Sequence, residues 1–404
     1  MIKTNIKEYS FQEINNKIRV IFKQNNYFEI DKDFTDIEYE IKDNQLCFNT
    51  ENEKKIKKIM HKILSYAEYK NIFTNKKIYY INEQSQIPLI GSIAYGLIDR
   101  GSNIIEIRPN TGCNMNCPFC SVDEGLSSKK KVEYYVEPHY LAKEFQKLCE
   151  LKNTDYIEAH IGPQGEPVAY DDLELFISLI KKIPNVKIIS INTNGTLITK
   201  ELADKLIKAG LNRVNLSLHT MDTLNSKKMF GSGKYDIEQI KEISQYLANK
   251  IELVIAPVLV KGYNEEDLIE VINFAKKISK NIKFPKICIQ NFLRYKFGRN
   301  PVKEIKWDEF YKQLDYYEKS TNTNMKITES DFNIKPCNSP EKTIKKNEIL
   351  KVKIVLPGRL QGEKIAMAKK RSISIFNAEN LQIGKEYKIK IIKDKHNLYT
   401  AVPN

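Results

Sequence analysis

The chain has no long apolar run free of charge, and its amino terminus, Met-Ile-Lys-Thr-Asn-Ile-Lys-Glu-Tyr, carries no hydrophobic stretch of the secretory kind. Both absences argue against a membrane or exported protein and for a cytoplasmic one. Cysteine is sparse and odd in number, 7 in 404 residues, which argues against a disulfide-stapled scaffold and for a reducing compartment. Cys47, Cys149 and Cys288 stand alone in apolar or helical surroundings and read as buried core thiols. Residues 1 to about 90 contain no chemical motif.

The remaining chemistry is concentrated. Cys113, Cys117 and Cys120 form a C-x3-C-x2-C cluster in a loop broken by Gly112 and Pro118. Three thiolates so close can serve one soft metal centre. They are three ligands, whereas a closed structural zinc site takes four, so the triad points to a metal centre with one position left for another group.

The net charge of +14 is unevenly spread: residues 341–404 hold 15 Lys and Arg against 6 Asp and Glu, which is +9 of the total. A field of that sign recruits polyanions, nucleic acid first among them, while the plainer reading is a lysine-rich solvated surface.

Periodicity divides the chain into an α+β segment over 1–95, a βα-alternating segment over 96–335 and a small all-β module over 341–404. Six strands are predicted in the middle segment, at 104–107, 156–161, 187–191, 213–218, 251–256 and 286–290, with helical patterns between them such as 173–180 and 268–275. Six βα units in a row suit an incomplete barrel, with chemistry at the carboxyl ends of the strands. Alternating runs at 349–355, 373–376 and 387–392, with glycines at the turns, predict a small basic barrel of OB-like size.

These residues resemble the radical SAM superfamily over roughly 100–300. The resemblance rests on the cysteine spacing with Phe119 before the third cysteine, then Gly162-Pro-Gln-Gly-Glu-Pro167, Asn192-Thr-Asn-Gly195, Ser217, Lys261–Asn264 and Gln290–Tyr295, each at the end of a successive strand. It implies a 4Fe-4S cluster on Cys113, Cys117 and Cys120, with S-adenosylmethionine on the fourth iron. Phe119, Gly165, Glu166, Asn194 and Ser217 are then cofactor contacts, Glu166 accepting from the methionine ammonium. Gln164 departs from the pattern, replacing the first glycine of the family's GGEP. An electron donor such as ferredoxin or flavodoxin is also implied. His160 and His219 read as packing or supporting groups. Arg294, Tyr295 and Arg299 could hold a substrate or tie the last strand to its helix.

The terminal module resembles a TRAM domain, a barrel found on RNA-modifying enzymes, with Lys369, Lys370 and Arg371 as RNA contacts. Phe376, Tyr387 and Tyr399 could stack on bases or fill its core. Together the two resemblances imply an enzyme that modifies RNA, tRNA first among the candidates. A radical SAM enzyme acting on a peptide or metabolite, or a non-catalytic RNA-binding protein, are the competing classes. Methylthiotransferases carry a second cysteine triad upstream, where this chain has only Cys47. Two further expectations follow. The terminal module should be separable, its deletion sparing cleavage of the cofactor. Cys337, in Lys335-Pro-Cys-Asn-Ser-Pro340, is a catalytic candidate by comparison with C2-adenosine RNA methyltransferases, with a structural thiol or an accessory cluster ligand as the alternatives.

Overall fold

A computed structural model describes residues 2–404 except 5, 66 and 280–282. The chain forms two compact units, Met1–Tyr79 and Tyr80–Asn404. In the first, strands Tyr9–Ile14, Lys17–Phe22 and Asn26–Asp31 form an antiparallel meander, and Tyr39–Lys42 pairs with Gln45–Phe48. Alternation puts Phe11, Ile18, Val20 and Phe28 into one core, which the helix Glu53–Ser65 meets with Ile56 and Met60. The unit is α+β.

In the second unit, strands Ile104–Arg108, Ile157–Ile161, Val186–Thr193, Arg213–Leu216 and Glu252–Ile255 pair in parallel in that order. The sixth predicted strand is weaker. It joins through a parallel bridge of Ile255 to Ile287 and a short ladder of Val258–Leu259 with Gln290–Asn291. An additional strand, Gly96–Asp99, lies antiparallel on the open edge beside Ile104–Arg108. Helices Pro138–Leu151, Leu173–Ile180, Lys200–Ala209, Ile237–Ala248 and Leu268–Ile278 fill the connections. Their starts are chemically marked: Glu137, Thr199 and Asp236 each accept from backbone N–H groups of the first turn. The result is a partial TIM-type barrel.

The two faces of the barrel strands differ. On Ile157–Ile161 the apolar residues Ile157, Ala159 and Ile161 are fully buried, while Glu158 and His160 project the other way. Glu158 accepts from Ser190 Oγ at 2.7 Å and from the Arg213 guanidinium. Burial opposes its charge, yet the His160 ring 3.6 Å away and the Arg213 guanidinium hold its carboxyl at about 2.

The carboxyl-terminal strands Ile349–Pro357, Lys364–Ala368, Arg371–Ile375, Thr400–Pro403 and Glu386–Lys393 close into a five-stranded barrel in that spatial order. Val352, Ile354, Ile373, Ile375, Ile389, Ile391 and Tyr399 fill it, and Tyr387 packs against that core. This barrel is bonded into its unit. Ser372 N–H donates to Ile90 O at 2.9 Å and Tyr399 N–H to Gly91 O at 3.0 Å. The hydroxyls of Tyr95 and Ser372 lie 2.8 Å apart, and Tyr134 donates to Pro357 O at 2.7 Å. The rings of Phe297 and Phe376 stack at 5.4 Å. Backbone, hydroxyl and ring contacts all join the small barrel to the larger one.

Candidate active site

The loop that follows the first parallel strand carries the cysteine triad, and the ends of the next strands pack around it. Cys113, Cys117 and Cys120 line one cavity with Phe119, Gly165, Glu166, Asn194, Ser217 and His219. All of the cofactor-site residues expected from sequence therefore come together at the carboxyl end of the barrel. The two carboxylates on this lining, Glu124 and Glu166, are its charged side chains other than thiols; no lysine or arginine is among the described lining residues.

Glu166 is the organising group. Its N–H donates to Gly112 O at 2.8 Å, tying its loop to the cysteine loop. Its carboxylate accepts from Thr193 Oγ1 at 2.6 Å, Asn194 N–H at 2.9 Å and Val168 N–H at 3.0 Å. Gly165 lies against the same loop with φ +69°, and a Cβ there would sit 2.5 Å from Gly112 O. Asn194 spends its side chain on the scaffold: Nδ2 donates to Asn114 Oδ1 at 2.9 Å and Oδ1 accepts from Thr196 Oγ1 at 2.6 Å.

Around the sulfurs, Cys113 Sγ accepts Met115 N–H at 3.5 Å and Cys120 Sγ accepts Glu124 N–H at 3.4 Å. Arg299 ties the cysteine loop. Its guanidinium donates to Cys117 O at 3.1 Å, to Glu124 O at 2.8 Å and to Asp123 Oδ1 at 2.7 Å. Phe119 meets the His219 ring edge-on at 5.1 Å; His219 stacks on Phe230 at 5.0 Å, and Phe230 on Tyr235 at 3.9 Å. Burial pushes the His219 imidazolium down to about 3, so the ring is neutral. Val258 N–H donates to its Nδ1 at 3.1 Å, which places the proton on Nε2.

The site has the charge properties an iron cluster and an ammonium would satisfy. Burial pushes all three thiols up; carboxylate charge adds to the shift at each, and a neighbouring thiolate adds to it at Cys113 and Cys117. Bound iron supplies the positive charge that ionises such a set. Among the described residues, no three His, Cys, Asp or Glu side chains converge as ligands of a single ion. A cubane does not ask for that, since each cysteine binds a different iron. Glu166 is also raised by burial, even with three donors on it. An ammonium group beside it would restore the charged form.

Several residues that shape the site carry no signal in the sequence. Arg359, in the turn after the strand Ile349–Pro357 of the small barrel, pairs with Glu124 and with Glu133. Lys130 also holds Glu124, at 2.6 Å. Gln164, visible in the sequence only as a departure, accepts from Arg108 at 3.2 Å and donates to Glu124. These partners lie up to 235 positions apart, and no local pattern signals them.

The remaining candidates lie elsewhere. Cys337 N–H donates to Gly101 O at 2.9 Å, beside the bridge of Ser102 to Pro336. That is the amino end of the first parallel strand, opposite the end that carries the triad, so the structure does not bring Cys337 to the site. Lys369, Lys370 and Arg371 lie at a turn of the small barrel. Lys369 pairs with Glu348, and Arg371 donates to Glu341 O at 3.0 Å.

A barrel with three part-buried thiols and a buried carboxylate at one mouth fits the class of iron–sulfur enzymes whose cofactor carries a free amino-acid group. Residues 107–275 match the family described as Radical SAM superfamily. The chain belongs to the radical SAM superfamily, whose members use a 4Fe-4S cluster and S-adenosylmethionine. It is 36% identical to the Methanocaldococcus jannaschii protein MJ0103, itself described as uncharacterized, over 95% of this chain and 94% of that one. It is 27% identical over 221 residues to a GTP 3',8-cyclase of Syntrophomonas wolfei, covering 52% of this chain and 63% of the cyclase. The chain thus spans less than two thirds of that relative. Among solved structures, TYW1 with a bound lysine–pyruvate adduct aligns at TM-score 0.43 and 17% identity, over 61% of this chain and 82% of that one. No helix among the described residues is long and apolar enough to cross a membrane.

Proposed function

We propose that this radical SAM enzyme modifies RNA, with tRNA the substrate class to test first, and that its small barrel is a TRAM-like RNA-binding module. The carrying observation is the turn Lys369–Lys370. Ala368 pairs with Arg371, so the two lysines form a two-residue hairpin loop. Both have positive φ, +47° and +56°. Such turns favour Asn-Gly, and a long side chain at either position is conformationally costly. Cations at positions that turn chemistry disfavours support a role in binding phosphate, most directly for Lys370, since Lys369 also pairs with Glu348. The +9 charge of residues 341–404 supports the same reading.

The cavity supports a neutral reacting group. Asn192, Asn215, Gln290 and Asn291 line it, and Asn291 Oδ1 is buried with no hydrogen-bond partner. Carboxamides suit a nucleobase edge, whereas a triphosphate within the cavity would meet no cation from the described lining residues. Held by Cys113, Cys117 and Cys120 and beside Glu166, cluster and S-adenosylmethionine would supply the one-electron chemistry for taking a hydrogen atom from substrate. The chain's own residues position both and exclude water. A cytoplasmic ferredoxin- or flavodoxin-type donor would provide the electron.

Mass spectrometry of nucleosides from a deletion strain tests the reading. One modified nucleoside should vanish from tRNA or another RNA and return with the wild-type gene. An unchanged nucleoside profile in all RNA fractions would turn the assignment toward a peptide or metabolite substrate.

A further inference from the structure

The guanidinium of Arg359 enters the cysteine-loop region from the small barrel and is nearly sealed there, its side chain 3% exposed. Nη1 and Nη2 form a fork on the Glu124 carboxylate, Nη2 reaching Oε2 at 2.7 Å. Nη2 also donates to Glu133 Oε2 at 2.6 Å, and Nε to Val132 O at 3.0 Å. The backbone is fixed as well, since Lys131 N–H donates to Arg359 O at 2.8 Å.

Both carboxylates lead to the cysteine loop. Glu124 N–H is the donor to Cys120 Sγ. Glu133 accepts from Thr111 Oγ1, two residues before Cys113, and Thr111 Oγ1 accepts Tyr134 N–H at 2.9 Å. One arginine therefore holds both flanks of the triad. Bidentate guanidinium–carboxylate pairs fix orientation as well as charge.

We propose that Arg359 is a positioning residue of the cluster site, and that the small barrel acts as a clasp whose seating sets the hydrogen bond to Cys120 and the potential of the cluster. Hydrogen bonds to cluster sulfurs and nearby positive charge both raise a reduction potential. Without Arg359, Glu124 and Glu133 lose a shared buried cation, and the 120–124 segment loses the anchor that aims its N–H at sulfur. The inference rests on the cluster assignment and is independent of which substrate is used.

The test uses full-length Arg359→Gln and Arg359→Lys proteins with two readouts. Hydrogen exchange on apoprotein needs no cluster: amides of residues 120–124 should exchange about tenfold faster or more in Arg359→Gln, while core amides of the small barrel keep their protection. Redox titration of the reconstituted cluster should give a more negative midpoint in Arg359→Gln and an intermediate one in Arg359→Lys, which keeps charge but not the fork. Unchanged exchange at 120–124 would overturn the clasp. Faster exchange with an unmoved midpoint would equally overturn the proposal, reducing Arg359 to scaffold. Failure of the wild-type chain to take up iron would instead strike the cluster reading, leaving the exchange result to judge the clasp, whereas iron loss confined to Arg359→Gln would support it.

Discussion

Gly165 passes so close to Gly112 that a side-chain carbon on it would lie 2.5 Å from the Gly112 carbonyl oxygen, and its φ of +69° disfavours any other residue. The loop bearing Glu166 can nest under the cysteine loop only with glycine at this point. Gly165→Ala should destabilise the fold by ~1–3 kcal/mol. It should also lower iron uptake, because the two loops must part. Denaturant unfolding and iron analysis of the same preparation check both; full iron content at wild-type stability would show that the loops tolerate separation.

Protein purified without oxygen should be brown, with about four irons per chain. Alanine at Cys113, Cys117 or Cys120 should remove the colour and the reductive cleavage of S-adenosylmethionine. A colourless wild-type protein with stoichiometric zinc would contradict the cluster site.

Glu166 sets a pH dependence. Burial raises its carboxyl above the ordinary 4.5, and a bound ammonium would draw it down. Because the bound form then prefers the ionised carboxylate, affinity for S-adenosylmethionine should fall as pH drops through the raised value. Glu166→Gln should weaken binding roughly ten- to a hundredfold and flatten that dependence. Calorimetry at pH 7.5 and pH values approaching the raised carboxyl range reads both effects.

His219 makes an opposite kind of statement, about stability. Its imidazolium is pushed down to about 3 from an ordinary 6.5. Below 6.5 the unfolded chain takes up a proton that the folded chain refuses, so this residue's contribution is lost as pH falls from 6.5 toward 3. Between pH 7.5 and 5.0 it should cost about 2 kcal/mol of stability. His219→Asn keeps an acceptor for Val258 N–H and should remove that slope from urea unfolding curves.

The extent to which this was legible in the sequence follows the range of each signal. The first five barrel strands and the helices Leu173–Ile180 and Leu268–Ile278 show in hydrophobic period, a local property. The edge strand Gly96–Asp99 did not, because a four-residue run beside glycines has no period to read. The triad, Gly165 and Glu166 were legible as spaced motifs. Arg359 was invisible, since a lone arginine in a basic module gives no hint of carboxylates more than two hundred positions upstream. Gln164 was visible only as an exception, and its bridge between Arg108 and Glu124 supplies the reason. The place of Cys337 was not legible, because flanking prolines indicate a rigid turn without saying at which end of a barrel it lies.

RNA binding should be tested without truncation, since removing the small barrel also removes Arg359. Changing Lys369, Lys370 and Arg371 together to Gln should lower the slope of log affinity against log salt, by up to about 0.7–0.9 for each phosphate no longer neutralised. An unaltered slope by fluorescence anisotropy would place the RNA elsewhere on the protein or exclude it.

The pairing of Arg359 with Glu124 also orders events in time. Ribosomes add roughly 5–20 residues per second, so a separation of 235 positions leaves Glu124 outside the exit tunnel for tens of seconds before its partner is made. During that interval the cysteines are translated but their loop lacks its arginine. If Arg359 clasps the triad as proposed, a nascent chain would be a poor recipient of iron, and assembly machinery that acts after chain release would meet a loop already held in place.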